Sequence, residues 1–390
     1  VHIHVPKDIT IAQVNNFREI KLNIKPILPD IKQIKAAAVA LGKAISCGDQ
    51  VVAVLGYGII RSHAEKEALE LVDKFQIPFV TTMDAKGIIC EDHPLSLGVY
   101  GTSGDPGANK YFTGAKLVLA IGNSFAQNAT FGFKPDLLNG KVLIHINIDA
   151  HEIDKVYKAD FPVLSDAKPA IAGICQELSK SISGVKPRIV QKEKWYDMPV
   201  SSTSQKIHPA ELVKAISRNL PAQSYILGDA GSHMLWLNCY LKLSKNQLYQ
   251  NPGSFGPMAS HVNGAIGVKC AHPDKVVICG CGDGAYQMAG FELMTAIQYD
   301  IPVIWVIFNN GEFNVIKKFL INLFGEHAFM QFDNPDFIKY AEACKAAAYR
   351  VEKIEDFDAA FRQALSCGKA ALIDVVVDSE VYPPFGLGKV

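Results

Sequence analysis

Apolar residues along this chain come in two rhythms. Short unbroken runs have strand length and end at Gly, Pro or Asn: VVAVLG from Val51, PFVTT from Pro78, KLVLAIG from Lys116 and KVLIHINID from Lys141. Between them lie segments with helical spacing. IKQIKAAAVALGKAIS follows Asp30 and stops before Gly48, HAEKEALELVDKF begins at His63, and AIAGICQELSKS ends near Ile182. The same alternation returns later. QSYILGD, KVVICGCGD, PVIWVIFNN and AALIDVVVD read as strands; HPAELVKAISRNL, MASHVNGAIGVKCAHP, GFELMTAIQYD and PDFIKYAEACKAAA read as helices.

Strands that are apolar throughout, each followed by a helix, predict parallel sheets covered by helices on both faces. The expected fold is therefore α/β, with two doubly wound domains. Residues 1–30 read as an entering strand and proline-punctuated linker, and 31–182 as a Rossmann-like middle domain. Residues 183–205 form a linker with prolines, a charge run and a Ser/Thr cluster. Residues 206–378 form a second α/β domain, and 379–390 a tail.

Composition narrows the function classes. A chain of 390 residues suits two or three domains, and 49% apolar with 20% charged residues suits a well-packed soluble protein. Lys plus Arg and Asp plus Glu are both 39, so neither nucleic acid nor an anionic membrane is the expected partner. No apolar run approaches the roughly 20 residues needed to span a bilayer. The nine cysteines are scattered and odd in number, which points to reduced thiols in a cytoplasmic protein. Cys279 and Cys281 fall on one face of a strand and read as core thiols, not metal ligands. The opening VHIHVPKDI has neither a starting methionine nor a signal-peptide pattern, and suggests the later part of a longer protein.

The chemistry concentrates between Gly282 and Glu312, in GDGAYQMAGFELMTAIQYDIPVIWVIFNNGE. Here a strand ends in Gly282-Asp283-Gly284, a helix follows, and a second strand ends in Asn309-Asn310. A right-handed strand–helix–strand crossover brings both strand ends to one edge of the sheet, roughly 5 Å apart if the strands are neighbours. The glycines let backbone approach a phosphate, and Asp283 supplies a hard carboxylate oxygen. Magnesium takes oxygen ligands at about 2.1 Å and shares them with phosphates. One carboxylate plus neutral oxygens suits it better than zinc. Either turn alone is commonplace; the pair on this frame is specific.

The span resembles the motif of thiamine-diphosphate-dependent enzymes of the acetolactate synthase, pyruvate oxidase and pyruvate decarboxylase group, and the resemblance extends over essentially the whole chain. It implies magnesium held by the side chains of Asp283 and Asn310 and the backbone carbonyl of Glu312. It places Gly282, Gly284 and Ala285 at the diphosphate, with Gly231, Ser232 and His233 of GDAGSHMLW beside it. In NPGSFGPMASHVNGAIG, the Gly256 carbonyl would accept from the aminopyrimidine, and Met258 would wedge between the two rings of the cofactor. The activating glutamate is expected in an N-terminal domain preceding Val1, so no catalytic residue is assigned within this chain. The expected assembly is a homodimer or homotetramer, and a fragment without that domain is expected to be inactive alone.

Within the middle domain, Gly56 and Gly58 of VAVLGYGIIRSHA make a weak nucleotide fingerprint, because Arg61 stands at the third glycine position. Flavin-containing relatives bind FAD in this domain. Acetolactate synthases carry arginines after the Ile-Gly turn, whereas IGNSFAQNATFGF has none, which leaves FAD doubtful. The resemblance implies decarboxylation or carboligation of 2-oxo acids. A thiamine-dependent oxidase or C–C hydrolase, a non-catalytic module of the same fold, and an NAD oxidoreductase are the alternatives. After Asn310 the usual Gly-Met-Val run and Trp are replaced by Asn314-Val315-Ile316 without Trp. Glu312 and Phe313 read either as substrate-facing or as a surface helix start, and Lys317 and Lys318 as a solvated pair.

Overall fold

The computed structural model describes residues 2–19, 25–200 and 204–384. Parts of the entering segment (1 and 20–24), of the linker (201–203) and of the tail (385–390) lie outside them. Among the described residues, twelve strands form two six-stranded sheets. The first holds β1 (Val51–Leu55), β2 (Phe79–Thr81), β3 (Ser96–Val99), β4 (Leu117–Ile121), β5 (Val142–Asn147) and β6 (Phe161–Leu164), in the order β3-β2-β1-β4-β5-β6. The second holds β7 (Ser224–Gly228), β8 (Leu248–Gln250), β9 (Val276–Gly282), β10 (Val303–Asn309), β11 (Ala347–Val351) and β12 (Ala371–Val376), in the order β11-β12-β10-β9-β7-β8. Every pairing between these strands is parallel.

Unbroken apolar runs are what such sheets demand, because successive side chains enter opposite, equally buried faces. Val51, Ala53 and Leu55 join one core cluster, while Val52 and Val54 join another across the sheet. In the second sheet Ile304, Val306 and Phe308 pack on one face and Val303, Trp305 and Ile307 on the other. Cys279 and Cys281 share that second face and are fully buried, and burial pushes the Cys281 thiol well above its ordinary range. Helix Ile31–Ser46 begins where Asp30 accepts a hydrogen bond from Lys32 N (2.7 Å), which caps a free helical donor.

Two local expectations give way. Residues 2–6 pair with nothing as a strand; they lead into one helical turn, Lys7–Thr10, and Ile3, Val5, Ile9 and Ile11 stay exposed. A strand needs a neighbour to satisfy its backbone, and no sheet edge receives this one. PDFIKYAEACKAAA is only half helix, since Phe337–Ala343 ends before Lys345 turns left-handed (φ 63°). The alanines that follow start β11, paired on β12.

Gly56 and Gly58 have a packing reason of their own. A Cβ on Gly56 would lie 2.3 Å from the Gly122 oxygen, and one on Gly58 would lie 2.6 Å from Gly122 Cα. The turns after β1 and β4 therefore touch backbone to backbone. The two units meet through the linker and nearby loops. Trp195 donates from its backbone to Asp105 and from its ring to the Gly104 carbonyl, Leu243 N donates to Glu91 (2.9 Å), and Asn251 donates to the Met83 carbonyl (3.1 Å). Among the described residues no helix is long and apolar enough to cross a membrane.

His145 on β5 is fully buried; its Nε2 donates to the Asn123 carbonyl (2.8 Å), and its Nδ1 has no partner among the described residues. A second ring proton would find no acceptor, and burial holds the imidazole below its ordinary value. His208, His233 and His261 shift the same way, also through burial. The unfolded chain therefore takes up protons below about pH 6.5 that the folded chain refuses, so stability drops as pH falls through that range. Urea midpoints at about pH 7.5 and about pH 5.5 should show this loss, and a His145→Phe variant should show a smaller one.

Candidate active site

Residues Gly282 and Phe308 stand in register on the neighbouring strands β9 and β10. The chain continues from them into Asp283 and into Asn309-Asn310 at the same sheet edge. Asp283 is 2% exposed. Its Oδ2 accepts from Asn310 N (3.0 Å), Gly311 N (2.6 Å) and Asn334 Nδ2 (2.8 Å); its Oδ1 accepts from Gly284 N (2.9 Å). Burial raises its pKa above the usual carboxylate value, and these N–H donors pull it back. Asn310 Oδ1 in turn accepts from Glu312 N (3.3 Å), which folds the turn back on itself.

A cavity of about 310 Å³ opens beside this pair. Gly231, Ser232 and His233 reach it from the start of helix Ser232–Tyr240, and Gly256 and Met258 from the loop before helix Ser260–Ala271. Gly282, Asp283, Gly284 and Ala285 reach it from the end of β9, and Asn310 and Glu312 from the end of β10. The residues that the resemblance assigned to cofactor and metal thus line one space, at the carboxyl ends of adjacent strands β7, β9 and β10, where open α/β sheets place ligands.

Local backbone explains several of these positions. Gly231 has φ 149°, and a Cβ there would come within 2.5 Å of His233 Cε1. The His233 ring is buried against Gly231, Gly282 and Phe308, and its Nε2 has no partner among the described residues. Desolvation pushes its pKa down to about 3, so the ring is neutral near pH 7. Gly256 and Ala259 both turn left-handed (φ 57° and 67°). The turn is pinned by the buried Asp229, whose carboxylate accepts from Ala259 N and His261 N, both at 2.8 Å. Met258 is half-buried and packs on the cluster that holds Val262 and Ala285.

Sequence reasoning did not single out Asp229, Asn334 or Lys317 for this site. Lys317 is not solvated. It is 6% exposed, and its Nζ lies 2.9 Å from Glu312 and 3.5 Å from Glu380. Asn314 donates to the second Glu312 oxygen (2.8 Å) and to the Ser379 carbonyl (2.7 Å). The Glu312 side chain is therefore committed to an internal ion pair, and the segment is not a surface helix start. Its neighbour Phe313 is partly exposed and packs on Phe332 (4.8 Å between centroids), and both rings crowd Gly284. Lys318 sits 4.5 Å over the Tyr382 ring. An acid spaced five residues before a lysine was the only trace of the pair in the sequence.

The donor set fits a hard divalent cation. Among the described residues no three His, Cys, Asp or Glu side chains gather as a metal cluster. What the turns present is one carboxylate, one amide and one backbone carbonyl, all oxygen donors of the kind magnesium accepts. His233 is among the residues that line this cavity, while its Nε2 is buried and has no partner among the described residues.

Comparison with known proteins bears on this geometry. Residues 229–375 match the family described as "Thiamine pyrophosphate enzyme, C-terminal TPP binding domain". Residues 8–174 match "Thiamine pyrophosphate enzyme, central domain". The probable acetolactate synthase large subunit of Methanococcus aeolicus is 30% identical over 409 residues, covering 97% of this chain and 67% of that protein. Its counterpart in Methanocaldococcus jannaschii is 30% identical, covering 98% and 67%. The acetolactate synthase large subunit of Porphyra purpurea is 28% identical, covering 100% and 68%. The chain spans about two thirds of the length of these relatives.

Removing one member of a buried ion pair strands the other charge, at a cost of about 3–5 kcal/mol. Lys317→Ala should lower stability by that order in urea unfolding. The double variant Lys317→Met with Glu312→Gln should lose much less, because no charge is left unpaired.

Proposed function

Because this chain belongs to the thiamine pyrophosphate enzymes, we propose that it holds thiamine diphosphate and magnesium in the cavity at the ends of β7, β9 and β10, and serves the decarboxylation or carboligation of 2-oxo acids. The observation that supports this most is the convergence of Asp283 and Asn310 on one cavity with the turns Gly231–His233 and Gly282–Ala285. Asp283, the Asn310 amide oxygen and the Glu312 carbonyl would hold the cation. The backbone at Gly284 and Ala285, with Ser232 and His233, would hold the diphosphate. The Gly256 carbonyl and Met258 would set the pose of the ring end.

The bound cofactor supplies the electron sink that lets a 2-oxo acid lose carbon dioxide. The chain's own residues position that cofactor. A neutral His233 neither repels a cation nor adds charge, and can only hydrogen-bond. The Glu312–Lys317 pair holds the turn that carries the Glu312 carbonyl. Phe313, Val315 and Ile316 make the wall beyond it apolar. The acetolactate synthase names of the relatives support the same reaction class; the run Asn314-Val315-Ile316 is where this chain's substrate would be selected.

The doubt over FAD in the middle unit has a structural counterpart. The turns after β1 and β4 close against each other, and the cavity lined by Tyr57, Gly122 and Asn123 is about 60 Å³, far below the roughly 300 Å³ of a small-molecule site. A homodimer or homotetramer fits the exposed rings of Phe255, Phe291, Phe324 and Phe329.

Calorimetry with thiamine diphosphate tests the reading. Binding should require magnesium and weaken at least about tenfold in Asp283→Ala. Binding indifferent to both, or preference for NADH, would contradict it.

A further inference from the structure

Asp283 has two oxygens in unequal surroundings. Oδ2 already accepts from Asn310 N, Gly311 N and Asn334 Nδ2, which more than fills its two lone pairs. Among the described residues Oδ1 accepts only from Gly284 N, which leaves one lone pair open. The carboxylate thus has a held oxygen and a free one, and the two backbone donors come from the Asn310-Gly311 turn itself. Asn334 is the side chain that adds to this hold, across 51 residues of sequence.

Asn334 is itself held in one orientation. Both of its amide hydrogens are used, one on Asp283 Oδ2 and one on Asn309 Oδ1, each at 2.8 Å. Its Oδ1 accepts from Gln287 Nε2 (2.6 Å), which forbids the flipped amide. Asn309 is tied through its own amide to Asp374 (2.8 Å), and Asp374 pairs with Arg350. The loop that carries Asn334 is latched to the Asn310 turn, since Phe332 N donates to the Gly311 carbonyl (3.0 Å) and Phe313 N to that of Met330 (2.9 Å). Just beyond, Asp336 caps helix Phe337–Ala343.

We propose that Asn334 is a positioning residue for the cation: it holds Oδ2 of Asp283 so that Oδ1 is the atom presented to the metal. Gln287 acts one step further out, by orienting Asn334. This assignment rests on the magnesium reading above, and concerns which groups aim the ligand. Removing an outer hydrogen-bond partner of a metal ligand weakens metal binding by about 10–100-fold.

The test uses Mn²⁺ as the probe. The free ion is counted by electron paramagnetic resonance with the full chain and saturating thiamine diphosphate. Asn334→Ala should weaken Mn²⁺ binding at least about tenfold and change the spectrum of the bound ion, as a reoriented ligand does and a general loss of stability does not. Gln287→Ala should shift affinity in the same direction by less, and stands in if Asn334→Ala does not fold. If wild type binds Mn²⁺, Asp283→Ala does not, and both variants match wild type in affinity and spectrum, the positioning role is overturned and the magnesium reading survives. If wild type holds no Mn²⁺, both are overturned.

Discussion

Asp283 loses its water on folding, and the chain returns a set of N–H donors in place of that water. A buried carboxylate without such partners costs several kcal/mol. Here the donors come from the next residue, from the turn at the end of the neighbouring strand, and from a loop further on. That arrangement needs β9 and β10 in register, both turns at one edge, and the loop around Asn334 folded back against them. The fold thus acts as a frame that makes one acidic side chain affordable in the interior and aims it.

The rest of the site extends the same logic. Buried polar groups here serve mostly to fix loops, and the loops carry the chemistry. Asp229 fixes the turn that bears Gly256 and Met258, and Glu312 with Lys317 and Asn314 fixes the segment after Asn310. His233 differs in that its buried Nε2 has no partner among the described residues. The first sheet meets this assembly through the linker and through Glu91 and Met83, and Asn128 lines the candidate-site cavity from that side.

Much of this was legible in the chain because the signals are local. Strands buried on both faces leave unbroken apolar runs, so the central strands β1, β4, β9 and β10 stand out. The turn after β9 and the Asn-Asn after β10 announce themselves through glycine, acid and amide at strand ends. Short edge strands were harder. β8 and β11 are edges of few residues, and β11 begins in alanines that read as more helix, although Lys345 just before them has already turned left-handed. Asn334 gave no signal, since an asparagine before proline reads as an ordinary turn and its partner lies 51 residues away. Lys317 read as solvated because lysines usually are, and only the folded chain shows that Glu312 turns inward to meet it.

The central claim is geometric, and a crystal soaked with thiamine diphosphate and Mn²⁺ tests it most directly through anomalous scattering. The account predicts a single strong peak about 2.2 Å from Asp283 Oδ1 and from the Asn310 side-chain oxygen, with Oδ2 still bonded to Asn334. A peak seated on Oδ2, or a metal placed away from both side chains, would contradict it.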